Sequence, residues 1–409
     1  MSDRLLVWDI ARPGEPATHV GAVEQASDGT LSFAYDEDYA GAAISVSLPR
    51  GSERAGAQFF TNLLPEGATR ERICARLKIS VGNDFALLRA IGGECAGALS
   101  LLPEGEEPSA EPQPYEALEA ERVDELVAGE GEVPLLVGGS ATRLSLAGAH
   151  DKLPVFVDSR ELYVPLAHAP STHILKLPHD RHKHVPQNEA LTTWLAEELG
   201  FDVPTVALHR GALLVERYDR RRGRDWAVTR LHQEDVCQAT GRPPNRKYEV
   251  EGGPSLAESV ELVRRVCRQP LADVRRILRW ALFNVLAGNS DAHGKNLSLL
   301  YDEPVPRLAP FYDLVCTRAF PRLSRELAMA FGGESDPDRI GPPQVEALRG
   351  QLGLGKRLLP TLLDELLHDA EGALGRAIER VGRTAGDHPV LERVPPVVLE
   401  RIARLRRLE

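Results

Sequence analysis

The chain contains no run of about 18 uninterrupted apolar residues, so nothing in it reads as a membrane-spanning helix. Its first residues, MSDRLLVWDIARPGEP, place Asp3 and Arg4 ahead of any apolar stretch that would form a signal-peptide core, and a cytoplasmic protein is expected. Cysteine is scarce. Cys74, Cys95, Cys237, Cys267 and Cys316 are odd in number, widely spread and never set as C-x-x-C. That pattern argues against a disulfide framework or a structural zinc site and for reduced, mostly buried thiols. An excess of positive charge is also missing: 49 Lys plus Arg face 60 Asp plus Glu, a formal net charge of −11. A surface that grips nucleic acid over most of its area is thereby excluded, although a local basic patch is not. No internal repeat appears at solenoid periods.

What is present is ordinary for a globular chain of several domains. The 409 residues are 43% hydrophobic and 27% charged, enough for a sizeable core. The acidic excess is concentrated. From Glu104 to Glu132 there are eleven acids and one base, Arg122, a local charge of −10 that leaves the remainder near −1. PEGEEPSAEPQP within it is too polar and Pro-rich to order itself and reads as a linker, whereas EALEAERVDELV has the spacing of a short amphipathic helix. By contrast, Arg217 to Arg230 holds six Arg and two Asp, a local charge of +4.

Expected organisation follows from these punctuation marks. Residues 1–103 form a small N-terminal α/β unit, with strand-like runs at Leu5 to Ile10, Ser32 to Tyr35 and Ala43 to Val46, then helices in FFTNLLPEGATRERICARLKI and NDFALLRAIGGECAGAL. Residues 104–134 are the acidic linker and short helix. Residues 135–235 form a β-rich lobe with strands at Leu153 to Val157, His173 to Leu177 and Gly211 to Glu216, and one helix, Asn188 to Leu199. Residues 236–409 form a helical lobe: LAESVELVRRVC, ADVRRILRWALFNVLAG, PQVEALRGQLG, KRLLPTLLDELLHDAEGALGRAIERVG and VVLERIARLRRL. The fold class is α+β.

The chemistry is densest at Asn289-Ser-Asp-Ala-His-Gly-Lys-Asn296, a polar loop between an apolar helix and the strand Leu297 to Tyr301. Buried flanks fix such a loop. Asp291 and Asn296 have the Asp-to-Asn separation of a protein-kinase catalytic loop, where the Asp orients the hydroxyl acceptor and the Asn helps hold magnesium. His293 stands where such kinases carry a basic residue facing the transferred phosphate. A plain polar turn is the alternative, and the full N-x-D-x-H-x-K-N set weighs against it. Asp313, in PRLAPFYDLVCT, follows seventeen residues after Asn296, and the two would supply the one or two protein oxygens that Mg²⁺ takes.

Three further segments fit phosphate chemistry, each with a plainer reading beside it. Lys176 lies in the strand-like STHILKL, where a lysine among apolar neighbours needs a negative partner: nucleotide phosphates, with a helix carboxylate such as Glu189. A lysine at a solvated edge is the plain reading. In Ser145-Leu-Ala-Gly-Ala-His-Asp-Lys152 small residues would let backbone N–H groups approach phosphate oxygens and Lys152 adds charge, although the turn lacks Walker A spacing and glycine turns before strands are common. LLVERYDRR, ending a strand at Val215 and Glu216, would serve as a hinge whose backbone pairs with adenine and whose Tyr218 packs on the ring, or simply as a strand end. The histidines His179, His182 and His184, with His168 and His173 nearby, form a candidate metal cluster, but the surrounding charges and missing Cys favour a solvated loop.

Taken in order, these motifs resemble the HipA family, the bacterial serine/threonine-kinase toxins of type II toxin–antitoxin pairs. FFTNLLPEG and LLRAIGGECAGAL resemble its N-terminal domain, SLAGAHDK its phosphate loop, ILKL its nucleotide lysine, VERYDR its hinge, and NSDAHGKN with FYDL its catalytic and metal segments. The resemblance implies a two-lobed kinase fold using ATP and Mg²⁺, with Asp291 as catalytic base and Asn296 and Asp313 as metal ligands. Ala147, Gly148, Ala149, Lys152, Lys176, Glu216, Tyr218 and His293 would bind ATP. Ser145 would be an autophosphorylation site that switches the enzyme off by placing charge inside the phosphate loop. His150 and Asp151 depart from the Gln-Glu of many members. The resemblance further implies phosphorylation of a protein, an aminoacyl-tRNA synthetase such as glutamyl-tRNA synthetase, leading to growth arrest, and a HipB-like helix-turn-helix antitoxin that carries the complex to DNA. Two rivals stand beside it: a weakly catalytic co-repressor acting with that antitoxin, and a small-molecule or lipid kinase.

Overall fold

The computed structural model describes residues 4–11, 15–51, 55–109, 114–129, 152–178 and 184–408. The chain is α+β and separates into two compact units. One comprises Met1–Leu177, Leu214–Pro244 and Leu300–Pro304, the other Pro178–Leu213, Asn245–Leu299 and Val305–Glu409.

The first unit begins with an antiparallel sheet of order β4-β3-β2-β1-β5, built from β1 (Arg4–Asp9), β2 (Thr18–Gln25), β3 (Leu31–Tyr35), β4 (Ala55–Gly56) and β5 (Leu99–Pro103). Alternation along β1 sends Leu5 and Val7 inward, where they meet Val20, Val23, Phe33 and Leu101. Helices α1 (Gln58–Thr61), α2 (Gly67–Leu77) and α3 (Asp84–Ile91) add Phe59, Phe60, Ile73, Leu88 and Ile91 to the same core. Asn83 caps α3 by accepting the Ala86 N–H at 2.9 Å. Ala43 to Val46, expected as a strand, is instead a turn with one bridge, Ser45 to Leu48. The reason is Tyr35, whose hydroxyl takes the Ile44 N–H and donates to the Leu48 carbonyl, so these groups pair with a side chain rather than a neighbouring strand. Strands β2 and β5 were not expected; LSLLP continues directly from a helical segment and carries no alternation of its own, being buried throughout.

A second sheet in this unit runs β6 (Tyr115–Ala117), β8 (Glu161–Pro165), β7 (Lys152–Asp158), β9 (His173–Lys176) and then Leu214–Glu216. Pro154 is tolerated inside β7 because the strand changes partners along its length: residues 152–155 pair with β9 and only Phe156–Asp158 pair with β8, so the missing N–H falls before the pairing with β8 begins. The acidic segment is split. Tyr115–Ala117 pairs with β8, with the Tyr115 ring 4.7 Å from Phe156, and the helix α4 (Ala120–Ala128) starts only afterwards, burying Val123 and Leu126.

The second unit is mainly helical. In α5 (Val185–Glu198) every side chain from Pro186 to Ala196 is buried, as in a helix at the centre of a bundle. It begins three residues earlier than expected, with Pro186 in its first turn, where a missing N–H costs nothing. The helix Ala370–Ala385 packs along it, with Arg380 4.5 Å over the Trp194 ring and Arg376 bonded to Glu198. The expected long helix from Lys356 to Gly382 is two, Leu358–Leu367 and Ala370–Ala385, broken where Asp369 leaves helical geometry (φ −128°, ψ 24°). The last helix, Val390–Leu405, carries Pro395 and Pro396 inside it rather than starting after them; its buried face of Val390, Val394, Pro395, Val398 and Ile402 outweighs the two lost hydrogen bonds. All five cysteines are buried and unbonded to one another.

Candidate functional site

In the helical unit, the apolar helix Pro270–Ala287 ends at Gly288, in the left-handed region at φ +66°. A side chain there would strike Val397 and Arg318, so glycine is required by both backbone and space. The loop that follows is tied to its surroundings at nearly every residue. Asn289 donates to Asn284 Oδ1 at 2.9 Å and accepts the Asp291 N–H at 3.1 Å. The Ser290 N–H meets Thr317 Oγ1 at 2.8 Å, and Thr317 in turn donates to the Gly288 carbonyl. Asn296 Oδ1 accepts the His293 N–H at 3.0 Å, and His293 Nδ1 accepts the Lys295 N–H at 3.3 Å. With Nδ1 acting as acceptor, a neutral His293 carries its proton on Nε2 and presents a donor. From Ala281 to Leu300 every residue is buried except Asp291. A loop this polar and this buried, presenting one carboxylate to solvent, is built to hold that carboxylate.

Asp313 lies beside it. Its backbone is left-handed at φ +54°, a conformation uncommon for a residue with a side chain and found where surroundings impose it. Asn296 Nδ2 is 3.4 Å from Asp313 Oδ2. Just downstream, Asn188 on α5 brackets Cys316, accepting its N–H at 2.8 Å and donating to its carbonyl at 3.0 Å. Asp313 and Asn296 are thus adjacent, and each carries a hard oxygen of the kind Mg²⁺ takes, with most of its remaining ligands from phosphate and water. The amide presents its NH₂ to Asp313, so ligation would use the second lone pair of Oδ1 or turn the amide over. Among the described residues no group of three or more His, Cys, Asp or Glu gathers for a metal, and His179 and His182 of the candidate histidine cluster are not among those residues.

The β-rich unit contributes a different set. Lys152 and Lys176 are directly paired across β7 and β9, so both ammonium groups stand on one face of the sheet. Like charges so placed repel, and an anion near them offsets the repulsion. Glu216 is exposed at the strand end, and the Tyr218 hydroxyl bonds to Gln233. Behind this segment lies a buried ionic cluster. Arg217 pairs with Asp219 at 2.7 Å, Arg220 with Asp219 and Glu94 at 2.8 Å each, and Arg230 with Glu94 at 2.9 Å. Gly97, at φ +80°, adds its N–H to Asp219 at 2.8 Å. Burial alone would raise the Glu94 pKa, but Arg230, Arg220 and Arg217 outweigh it and hold the carboxyl below its ordinary range. Three of the six arginines that read as locally basic are therefore turned inward.

Ser145, Ala147, Gly148 and Ala149 lie outside the described residues, as do His179 and His182. Several residues now seen at the sites carried little sequence signal: Tyr248, whose hydroxyl is 2.5 Å from Asp291 Oδ1; Asn188 and Asn284, each buried within a helix; and Glu94 in a glycine-rich turn. An asparagine set in an apolar run, as Asn284 is in WALFNVLA, is the kind of signal that would have pointed to it.

Residues 144–374 match the HipA-like C-terminal domain and residues 16–102 the HipA N-terminal domain. The chain is 40% identical over 376 residues to Y4mE of Sinorhizobium fredii, covering 88% of this chain and 90% of that protein. It is 34% identical over 374 residues to the serine/threonine-protein kinase toxin HipA of Shewanella oneidensis, covering 86% and 85%. The HipA, HipB and operator DNA complex of Shewanella oneidensis MR-1 contains a chain that superposes with a TM-score of 0.82 at 30% identity, over 98% of this chain and 97% of that one. With domain matches, sequence identity and fold in agreement, the chain belongs to the HipA family of serine/threonine-protein kinase toxins.

Proposed function

We propose that this kinase transfers the γ-phosphate of ATP to a serine or threonine hydroxyl through Asp291, and the observation that carries the reading is the fully buried loop that exposes this one carboxylate. Asp291 orients the acceptor hydroxyl and takes its proton as the new oxygen–phosphorus bond forms and the bond to the departing ADP breaks. His293 donates from Nε2 to the transferred phosphate. Lys152 and Lys176 stabilise phosphate charge on their sheet face, while Glu216 and Tyr218 serve the adenine end. Asn296 and Asp313 would hold Mg²⁺, which when bound supplies charge neutralisation to the phosphates.

Ala147, Gly148 and Ala149 cradle phosphate, and phosphorylation of Ser145 shuts the enzyme off. The target is a cytoplasmic protein, an aminoacyl-tRNA synthetase such as glutamyl-tRNA synthetase, so that translation and growth stop. A HipB-like antitoxin is the partner and the route to operator DNA; the solved Shewanella complex supports this part. No helix of the described residues is long and apolar enough to cross a membrane. The test is transfer from γ-labelled ATP, including onto Ser145, by wild type and Asp291→Asn. Loss in the variant is expected, and equal incorporation would defeat the assignment.

A further inference from the structure

Tyr248 lies 43 positions before Asp291 in sequence, in a segment to which the kinase reading assigns nothing. Its hydroxyl donates to Asp291 Oδ1 at 2.5 Å, a charge-assisted bond of the short, strong kind. The ring stands edge-on to His293, centroids 5.1 Å apart and planes at 86°. The backbone on either side of Tyr248 is fastened to the same loop. The Lys247 carbonyl accepts the Gly294 N–H at 3.1 Å, and the Glu249 N–H donates to Ala328, whose own N–H donates to the Ser290 carbonyl. Glu249 Oε2 adds a bond to the Ala330 N–H at 2.7 Å. The tyrosine is thus stitched to the loop on both flanks, with its hydroxyl delivered to the one exposed side chain of that loop.

We propose that Tyr248 is a positioning residue for Asp291. An exposed carboxylate on a fixed backbone still turns about its two side-chain torsions, and each turn moves the oxygen that must meet the acceptor hydroxyl. The phenol removes that freedom by engaging Oδ1, which leaves Oδ2 to face the serine or threonine. The edge of the same ring limits His293, so a single side chain holds both polar groups of the loop in register. This inference rests on the assignment of Asp291 as base.

The test compares the full-length wild type with Tyr248→Phe and Asp291→Asn, using incorporation of γ-phosphate from ATP into the chain itself, followed by intact mass. ATP affinity and melting temperature are measured on the same samples. Tyr248→Phe keeps the ring and removes only the hydroxyl. Its incorporation rate is expected to fall by about tenfold, the scale of a lost hydrogen bond to a charged group, with ATP affinity and melting temperature unchanged. An unchanged rate in Tyr248→Phe alongside an inactive Asp291→Asn overturns the positioning role and leaves the kinase reading intact. An active Asp291→Asn overturns both. A faster Tyr248→Phe would mean that the phenol obstructs the carboxylate, and phosphate found on Tyr248 of the wild type would make it an acceptor; either result overturns the proposal.

Discussion

Replacing Glu94 by Gln changes no shape and deletes one charge at the point where three guanidiniums converge. Glu94 is 1% exposed, with Arg220 at 2.8 Å, Arg230 at 2.9 Å and Arg217 at 3.5 Å. Breaking a buried pair by removing one partner costs about 3–5 kcal/mol, because the remaining charges stay buried without compensation. For a unit of this size each kcal/mol moves the melting temperature by roughly 2–4 °C, so Glu94→Gln should melt about 10 °C earlier. The pH dependence supplies an independent arm. A carboxyl held below its ordinary pKa in the folded state contributes stability above the unfolded value, near 4.5, and loses it as pH falls through the folded pKa. Wild type should therefore lose stability on acidification below about pH 4.5, partly through Glu94, and Glu94→Gln should lose less over the same interval. Scanning calorimetry of the full chain at neutral pH and in acid measures both quantities. A shift under about 2 °C at neutral pH, or identical acid slopes for the two proteins, would refute the view that arginine charge outweighs desolvation here.

Glu234 should behave in the opposite sense. Burial pushes its carboxyl up to about 7 despite bonds from Ser45 at 2.5 Å, Tyr301 and the Val46 N–H. A raised folded pKa favours the protonated form, so its contribution is present at low pH and lost as pH rises from about 4.5 through 7. Glu234→Gln should flatten the fall in melting temperature across that window; parallel curves would contradict it. Asn188→Ala removes both bonds to Cys316; the Cys316 carbonyl keeps the Ala319 N–H at 3.3 Å, so the buried Cys316 N–H is the group left unpaired, at about 1–3 kcal/mol. Urea denaturation should report that loss, with weaker phosphate transfer because Asp313 sits three residues upstream. Full stability in the variant would show that the bracket is dispensable.

How much of this was legible in sequence depended on distance along the chain. Asn289, Asp291, His293 and Asn296 lie within eight residues, so their chemistry announced itself as a motif, and the structure makes a single hydrogen-bonded loop of them. Partners of the site come from far away: Tyr248 is 43 positions from Asp291, and Asn188, which holds the segment after Asp313, is 128 from Cys316. Neither periodicity nor local spacing records such pairs. Element boundaries failed where tertiary contacts overrode local preference. Tyr35 folded Ala43 to Val46 into a turn, and the buried face of Val390–Leu405 carried the helix through two prolines. The main helices and the strands β7 and β9 were legible because their apolar spacing is strong and uninterrupted.

The six arginines between Arg217 and Arg230 show what a formal charge is worth. Arg217, Arg220 and Arg230 are buried against carboxylates, Arg222 bonds to Asp158 and Arg221 lies 3.7 Å from Asp302. A cation buried against a carboxylate cannot reach a polyanion to displace its condensed counterions and adds nothing to the salt dependence of binding. Half of the arginines in this segment therefore act as mortar inside the fold, and only Arg221, Arg222 and Arg224 keep their charge at the surface.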